Sequence, residues 1–192
     1  KTLVGAGAMA TAKTTTLILV TNTVSARQWR DELLKRTSLT AEGRQNALSV
    51  IAVSDRGTML DASSVFYMDK IVTGPAGVGV VDIRKPVGEN IRALAKSLGK
   101  PVDQIVVSVL NRPRHLQLIA DIREAGARIR LMGDGDLSAG IAAALAGTGV
   151  HAVMGIGGAP EGVITAAAMR CLNGEMLARL VVEKPEHEER CR

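Results

Sequence analysis

The sequence predicts an α/β fold in which helices are layered on a sheet, with parallel strands in the C-terminal half. Short aliphatic runs alternate with longer helical segments three times in succession between residues 104 and 174. This pattern is typical of parallel strands joined by right-handed crossovers. Of the 192 residues, 46% are hydrophobic but only 2% are aromatic. We therefore expect one principal core, filled by Val, Ile, Leu, Ala and Met.

The composition of each segment, together with its cap residues, prolines and glycines, predicts the individual helices and strands. Strands are predicted where β-branched and other aliphatic residues run together, and helices where a cap residue or proline opens a segment or glycine closes it. Helices are predicted over residues 1–13, 25–36, 89–100, 114–126, 137–146 and 159–174. Strands are predicted over residues 14–22, 47–53, 63–74, 104–110, 127–132 and 151–157.

Polar loops follow the last three predicted strands. They read NRPRH at 111–115, GDGD at 133–136 and GIGGAPEG at 155–162. Because ligands of parallel sheets bind beyond the carboxyl ends of the strands, these loops are predicted to face one crevice. Arginines, carboxylates and backbone donors together suit a polyol phosphate.

The first loop carries Arg112 and Arg114 on either side of Pro113, which stiffens the turn. Planar guanidinium groups match phosphate oxygens. The alternative is a pair of solvated arginines at a helix N-terminus. Because a cation is mildly unfavourable beside that end of the helix dipole, we favour phosphate binding.

The second loop raises a question about two carboxylates one residue apart, Asp134 and Asp136, with Gly135 between them. Asp136 alone could be a helix N-cap. A pair could bind a divalent cation, although Asp-x-Asp without a third oxygen donor is a weak metal signal. The carboxylates could equally accept hydrogen bonds from sugar hydroxyls.

The glycines of the third loop leave backbone N–H groups at a helix N-terminus, which is an anion-binding arrangement. Their spacing is not the dinucleotide-binding fingerprint. Glu161, in the first turn of that helix, is either an acid favoured by the helix dipole or a functional carboxylate. His115 and His151 lack metal-ligand spacing to Cys or Asp, so structural roles are predicted for both.

Charge and cysteine content narrow the class of partner. The formal net charge of +5 is spread along the chain, and no run of five or six like charges occurs, so a nucleic-acid partner is not expected. Cys171 and Cys191 have no metal-like spacing and no signal peptide precedes them, which predicts a cytoplasmic location. The apolar run at 17–20 is too short to span a bilayer, and no membrane association is expected.

From residue 41 to 185 the sequence resembles the class II fructose-1,6-bisphosphatases of the GlpX type. The resemblance is carried by NALSVIAVSDRGTM, VFYMDKIVTGP, RPRH, ARIRLMGDGD and MGIGGAPEGVITAAAMRCLNGEM, in that order. It implies metal-dependent hydrolysis of fructose 1,6-bisphosphate to fructose 6-phosphate and phosphate, with Mn²⁺ or Mg²⁺, in gluconeogenesis and glycerol metabolism. Some members also take sedoheptulose 1,7-bisphosphate. An incomplete layered sandwich of the sugar phosphatase type is implied, as is a homo-oligomer in the intact family.

The resemblance also implies roles for particular residues. Glu161 would be a metal ligand, and Asn111 stands where the family usually has Asp. Substrate contacts would come from Tyr67, Arg112, Pro113, Arg114, Asp134, Gly135, Asp136 and Gly158.

The N-terminal segment, residues 1–40, instead resembles a fragment of XPB-type DNA repair helicases, through KTLVGAGAMATAK and LILVTNTVSARQWRDELLKRTSLT. P-loop glycines do not precede Lys1, so ATP hydrolysis by this segment is not expected. Residues 33–39 read LLKRTSL where the phosphatase family has a metal-binding Asp-Pro-Ile/Val-Asp/Glu-Gly-Thr-Thr motif. The sequence thus predicts a helicase-like fragment at 1–40, a truncated phosphatase domain at 41–185 and a charged tail at 186–192. Hydrolysis impaired by missing metal ligands, sugar-phosphate binding without turnover, and ATP or DNA binding by the fragment remain as alternatives.

Overall fold

A computed structural model describes residue 52, residues 57–60 and residues 65–182. The chain divides into two compact units, residues 1–60 and 61–192, and every helix and strand given below lies in the second. The elements predicted within residues 1–36, the strand predicted at 47–53 apart from Ala52, and the tail lie outside the described residues.

The second unit alternates strands and helices along the chain. A short 3₁₀ turn, Pro75–Gly77, follows the first strand, and another, Pro113–His115, precedes the second helix. The strands are β1 (Tyr67–Thr73), β2 (Val106–Leu110), β3 (Arg128–Met132), β4 (Ala152–Gly158) and β5 (Glu175–Leu180). The helices are α1 (Val87–Ser97), α2 (Leu116–Glu124), α3 (Asp136–Ala144) and α4 (Ala159–Leu172).

The five strands form one mixed sheet in the order β3-β2-β4-β1-β5. Strand β2 is parallel to both β3 and β4, so the predicted parallel strands of the C-terminal half are confirmed. Strand β1 runs antiparallel to its two neighbours, β4 and β5. Consequently the amino end of β1 lies beside the carboxyl end of β4.

The helices cover both faces of the sheet, as expected for a layered α/β fold. Successive residues of a strand point to opposite faces, and β1 shows this with Ile71 and Val72. Ile71 belongs to an aliphatic core with residues of α1 and α2, including Ile91 and Ile122. Val72 lies on the other face, close to Gly140 of α3. Aliphatic side chains therefore fill the main core, as the composition predicts.

Strand β5 is missing from the sequence prediction. Its sequence, EMLARL, consists mainly of residues that favour helices. Among the strands that the structure describes, it pairs with β1 alone, and it is partly exposed. The register with β1, rather than local propensity, makes this segment a strand.

His151, at the amino end of β4, has the structural role predicted for it and makes stability depend on pH. Its Nδ1 accepts a hydrogen bond from the backbone N–H of Val106 at 3.0 Å. Burial, with a smaller contribution from the charge of Lys100, lowers the pKa of His151. As the pH decreases from the pKa of an unfolded histidine, about 6.5, toward the lower pKa of the folded protein, the unfolded chain binds more protons than the folded chain. Stability therefore decreases as the pH decreases across this range.

We expect the His151→Asn variant, whose side-chain oxygen can accept the same hydrogen bond, to lose less stability than the wild type between pH 7 and pH 5. The difference should stay below about 1.4 kcal/mol per pH unit. Urea unfolding at several pH values measures it. Identical pH profiles for the two proteins would contradict the assignment.

No helix among the described residues combines the length and the hydropathy needed to cross a membrane.

Candidate functional site

The carboxyl ends of β2, β3 and β4 lie together, as the parallel register requires. We call this end of the sheet the carboxyl rim and define it by Leu110, Met132 and Gly158. Because β1 is antiparallel to β4, Tyr67 is paired with Gly158 and lies at the same rim. The three polar loops and Tyr67, which the sequence analysis proposed as one site, are therefore assembled at one end of the sheet.

The loop after β2 directs its two arginines to different partners. Arg112 donates from Nη2 to Asp134 Oδ1 at 2.6 Å and from Nη1 to the carbonyl of Asn111 at 3.0 Å. Arg114 donates from Nε and Nη2 to the carbonyl of Ile156, at 3.2 and 3.0 Å. Pro113 opens the 3₁₀ turn that separates them. Each guanidinium group is thereby oriented but keeps N–H donors for a ligand.

Arg114 also lies over the ring of Tyr67, with its Cζ atom 5.0 Å from the ring centroid. This is within the range of a cation–π contact. Phe66 packs edge-on against the same ring, at 4.8 Å between centroids. Two of the predicted substrate contacts, distant in sequence, thus form one contacting pair.

His115 explains how the arginine loop is held against β4. Its Nδ1 lies 2.7 Å from the carbonyl of Leu110, and its Nε2 accepts the backbone N–H of Ile156 at 2.8 Å. Since Nε2 accepts, the proton is on Nδ1, which donates to Leu110. The ring is buried. The predicted structural role is confirmed.

The two aspartates of the loop after β3 have separate cationic partners. The Asp134 side chain is 91% exposed and pairs with Arg112. The Asp136 side chain is only 11% exposed, and its Oδ2 lies 2.5 Å from the ammonium of Lys70. Both carboxylates are therefore neutralised locally, which reduces the repulsion that an incoming phosphate would meet.

The alternative that Asp136 caps α3 is wrong. Gly135 is the N-cap residue, and Asp136 is the first residue of the helix, with no side-chain capping hydrogen bond. Gly135 has φ +85°, a left-handed conformation that glycine adopts without strain. The loop therefore turns at the glycine and leaves the Asp136 carboxylate to Lys70.

Lys70 is a residue of this site that the sequence analysis did not identify. It occupies the middle of β1 and is 2% exposed. The alternation of side chains along the strand could have identified it. Met68 and Val72, two residues to either side and on the same face, are apolar and buried. A lysine at the buried position between them indicates a partnered charge.

The junction between β4 and α4 places Gly158 and Glu161 next to each other. Gly158 is the N-cap of α4, and Glu161 lies in its first turn. A methyl group on Gly158 would overlap the Glu161 carboxylate. Glycine at this position therefore allows the carboxylate to fold back over the helix start.

A complete metal site is not formed by the residues that the structure describes. No group of three or more His, Cys, Asp or Glu side chains suited to a metal ion occurs among them. The two rim aspartates are bound by cations, and Glu161 is the acid left at the junction. Since Mg²⁺ and similar hard cations need about six oxygen ligands, these residues alone do not fit such an ion.

Comparison with known proteins identifies the family. The sequence profile of the family described as "bacterial fructose-1,6-bisphosphatase, glpX-encoded" matches residues 32–192. The chain belongs to this family. The resemblance noted from the motifs is thereby confirmed, and the layered α/β architecture agrees with it.

Curated relatives agree with the profile. The chain is 49% identical over 147 residues to proteins named "D-fructose 1,6-bisphosphatase class 2/sedoheptulose 1,7-bisphosphatase" from Crocosphaera subtropica and from Synechococcus elongatus. In each comparison the match covers 77% of this chain and 42% of the relative. The chain thus spans less than half the length of these relatives.

Proposed function

We propose that this chain binds a sugar phosphate at the carboxyl rim and belongs to a phosphatase that hydrolyses fructose 1,6-bisphosphate to fructose 6-phosphate and phosphate. The observation that supports this most is the convergence of two oriented guanidinium groups and two charge-paired carboxylates at one end of the sheet. The relatives named for fructose 1,6- and sedoheptulose 1,7-bisphosphate support both compounds as substrates.

In this proposal, different residues of the rim contact the phosphate and the sugar of the ligand. Arg112 and Arg114 donate hydrogen bonds to phosphate oxygens, for which guanidinium geometry is suited. The free lone pairs of Asp134 and Asp136 accept hydrogen bonds from sugar hydroxyls. Tyr67 packs its ring against Arg114 and limits where that guanidinium can lie. Gly158 leaves the backbone of the junction open to close approach.

The proposed cofactor is Mn²⁺ or Mg²⁺, with Glu161 as one ligand. Because the described residues do not complete a site for such an ion, we assign them the binding of the sugar phosphate and no further step. The same observation favours a second candidate function, which is sugar-phosphate binding without turnover. We further propose a cytoplasmic, homo-oligomeric protein acting in gluconeogenesis and glycerol metabolism.

Phosphate release from fructose 1,6-bisphosphate in the presence of Mn²⁺ separates the two candidates. If the chain is a phosphatase, we expect release that falls by at least about tenfold in Glu161→Gln, because that change removes a proposed metal ligand. Glu124→Gln, on the exposed side of α2, is the matched control and should release phosphate like the wild type. Calorimetric binding of fructose 6-phosphate without any release would instead support the binding function, and absence of both would refute the proposal.

A further inference from the structure

The ammonium of Lys70 joins two loops of the carboxyl rim. It donates to Asp136 Oδ2 at 2.5 Å and to the carbonyl of Gly158 at 3.3 Å. Asp136 opens α3, and Gly158 ends β4. One buried side chain in the middle of a third element, β1, therefore fixes the distance between the second and third polar loops.

The surroundings of Lys70 are shaped for this ion pair. A methyl group on Gly157 would overlap Asp136 Oδ2 and would lie 2.9 Å from Lys70 Nζ. Glycine is thus required there for the two charged groups to meet. The β1–β4 register, in which Lys70 is paired with Gly155, holds the stem of the lysine in place.

Stability alone is a poor reason for such an arrangement. A buried ion pair costs desolvation, and apolar residues of similar volume often stabilise a fold as well or better. Met68 and Val72, the neighbours on the same face of β1, are apolar. The pair instead joins two loops at the carboxyl rim, and ligands of α/β sheets bind beyond the carboxyl ends of the parallel strands.

We propose that Lys70 is a positioning residue for the sugar part of the ligand. It orients Asp136 so that the unoccupied lone pairs of that carboxylate meet a sugar hydroxyl, while the arginines of the first loop hold the phosphate. The inference rests on the proposed function, since it assigns the ligand's two halves to different residues. It predicts that disturbing Lys70 weakens recognition of the sugar and leaves recognition of phosphate intact.

Two charge-conserving variants of the whole chain test this, with fructose 6-phosphate and inorganic phosphate as probes. Lys70→Arg keeps the positive charge but replaces the ammonium by a planar guanidinium. Gly157→Ala keeps the charges of Lys70 and Asp136 but inserts a methyl group between them. We expect each variant to bind fructose 6-phosphate about tenfold more weakly, the loss of a charge-assisted hydrogen bond. Affinity for inorganic phosphate should stay within about twofold of the wild type.

Matched controls lie on the neighbouring strand β5 and on helix α1. Arg179→Lys alters the exposed ion pair with Asp69, on the opposite face of β1 from Lys70. Gly88→Ala adds a methyl group beside the flexible side chain of Arg92. Both controls should bind the two probes like the wild type.

The results that overturn the inference are specific. If the ion pair is merely structural, disturbing it should weaken the binding of both probes to the same extent. Unchanged affinity for fructose 6-phosphate in either folded variant would also refute the positioning role. If the wild type binds neither probe, the proposed function fails. The backbone amide resonances of Gly135 and Gly158 then test whether Lys70 positions the two loops. Shifts of both resonances in Lys70→Arg, but not in Arg179→Lys, support the positioning role, and unshifted resonances in Lys70→Arg refute it.

Discussion

Replacing Asp136 by alanine is expected to lower the free energy of unfolding by about 3–5 kcal/mol, because the change leaves a buried ammonium without its anion. Lys70 is 2% exposed, and its other acceptor is the carbonyl of Gly158 at 3.3 Å. Removing the carboxylate therefore removes the short charged contact and retains the desolvation cost. Urea unfolding followed by circular dichroism measures the loss.

Asp134→Ala, two residues away in the same loop, is the matched control. Its carboxylate is 91% exposed and pairs with the half-buried Arg112. An exposed ion pair contributes about 0–1 kcal/mol, so this variant should unfold close to the wild type. Equal losses in the two variants would show that the loop, rather than the buried pair, determines the effect.

Replacing both Arg112 and Arg114 by methionine is expected to weaken the binding of fructose 6-phosphate by roughly 100-fold or more. Each guanidinium keeps free N–H donors at the rim, and a hydrogen bond between charged groups is worth about 1.5–3 kcal/mol. The double variant also leaves the carboxylate of Asp134 unpaired, which adds repulsion toward phosphate. Isothermal titration calorimetry measures the affinity.

The matched control replaces Arg84 and Arg179 by methionine. Both are exposed arginines that pair with aspartates, Asp82 and Asp69, and neither belongs to the polar loops. The control removes the same number of positive charges from the chain. An equal loss of affinity in control and test variants would mean that overall charge, rather than the rim arginines, attracts the ligand.

Local sequence patterns predict much of the C-terminal half. The segments that became β2, α2, β3, α3, β4 and α4 are each marked by an aliphatic run or by a cap, and the predicted and observed ends agree within a few residues. Their strict alternation also predicts three parallel strands. The convergence of the polar loops follows from that topology, since carboxyl ends of parallel strands share one end of a sheet.

What the sequence could not show depends on contacts between distant residues. Strand β1 is predicted as a strand, but nothing local indicates that it lies antiparallel between β4 and β5. The partner of Lys70 is Asp136, 66 residues further along the chain. Likewise, the capping alternative for Asp136 could be rejected only once the backbone of Gly135 was known.

The two aspartates of the GDGD loop illustrate how the site is resolved. A motif of two carboxylates is compatible with a metal, a cap or a hydroxyl-binding pair. In the structure each carboxylate has its own cation, one exposed and one buried. A loop that is neutralised in this way suits a phosphorylated ligand better than a metal cation. It does not repel a phosphate, and it offers no unpaired carboxylate to a cation.

The central claim, that the carboxyl rim binds a sugar phosphate, is tested most directly by titrating the whole chain with fructose 6-phosphate and following the backbone amide resonances. We expect saturable shifts at Tyr67, at Arg112, Arg114 and His115, at residues 134–136 and at Gly158. The amino end of β4, near His151, should remain unchanged. Shifts confined to that opposite end of the sheet, or no saturable shift at any concentration, would contradict the account.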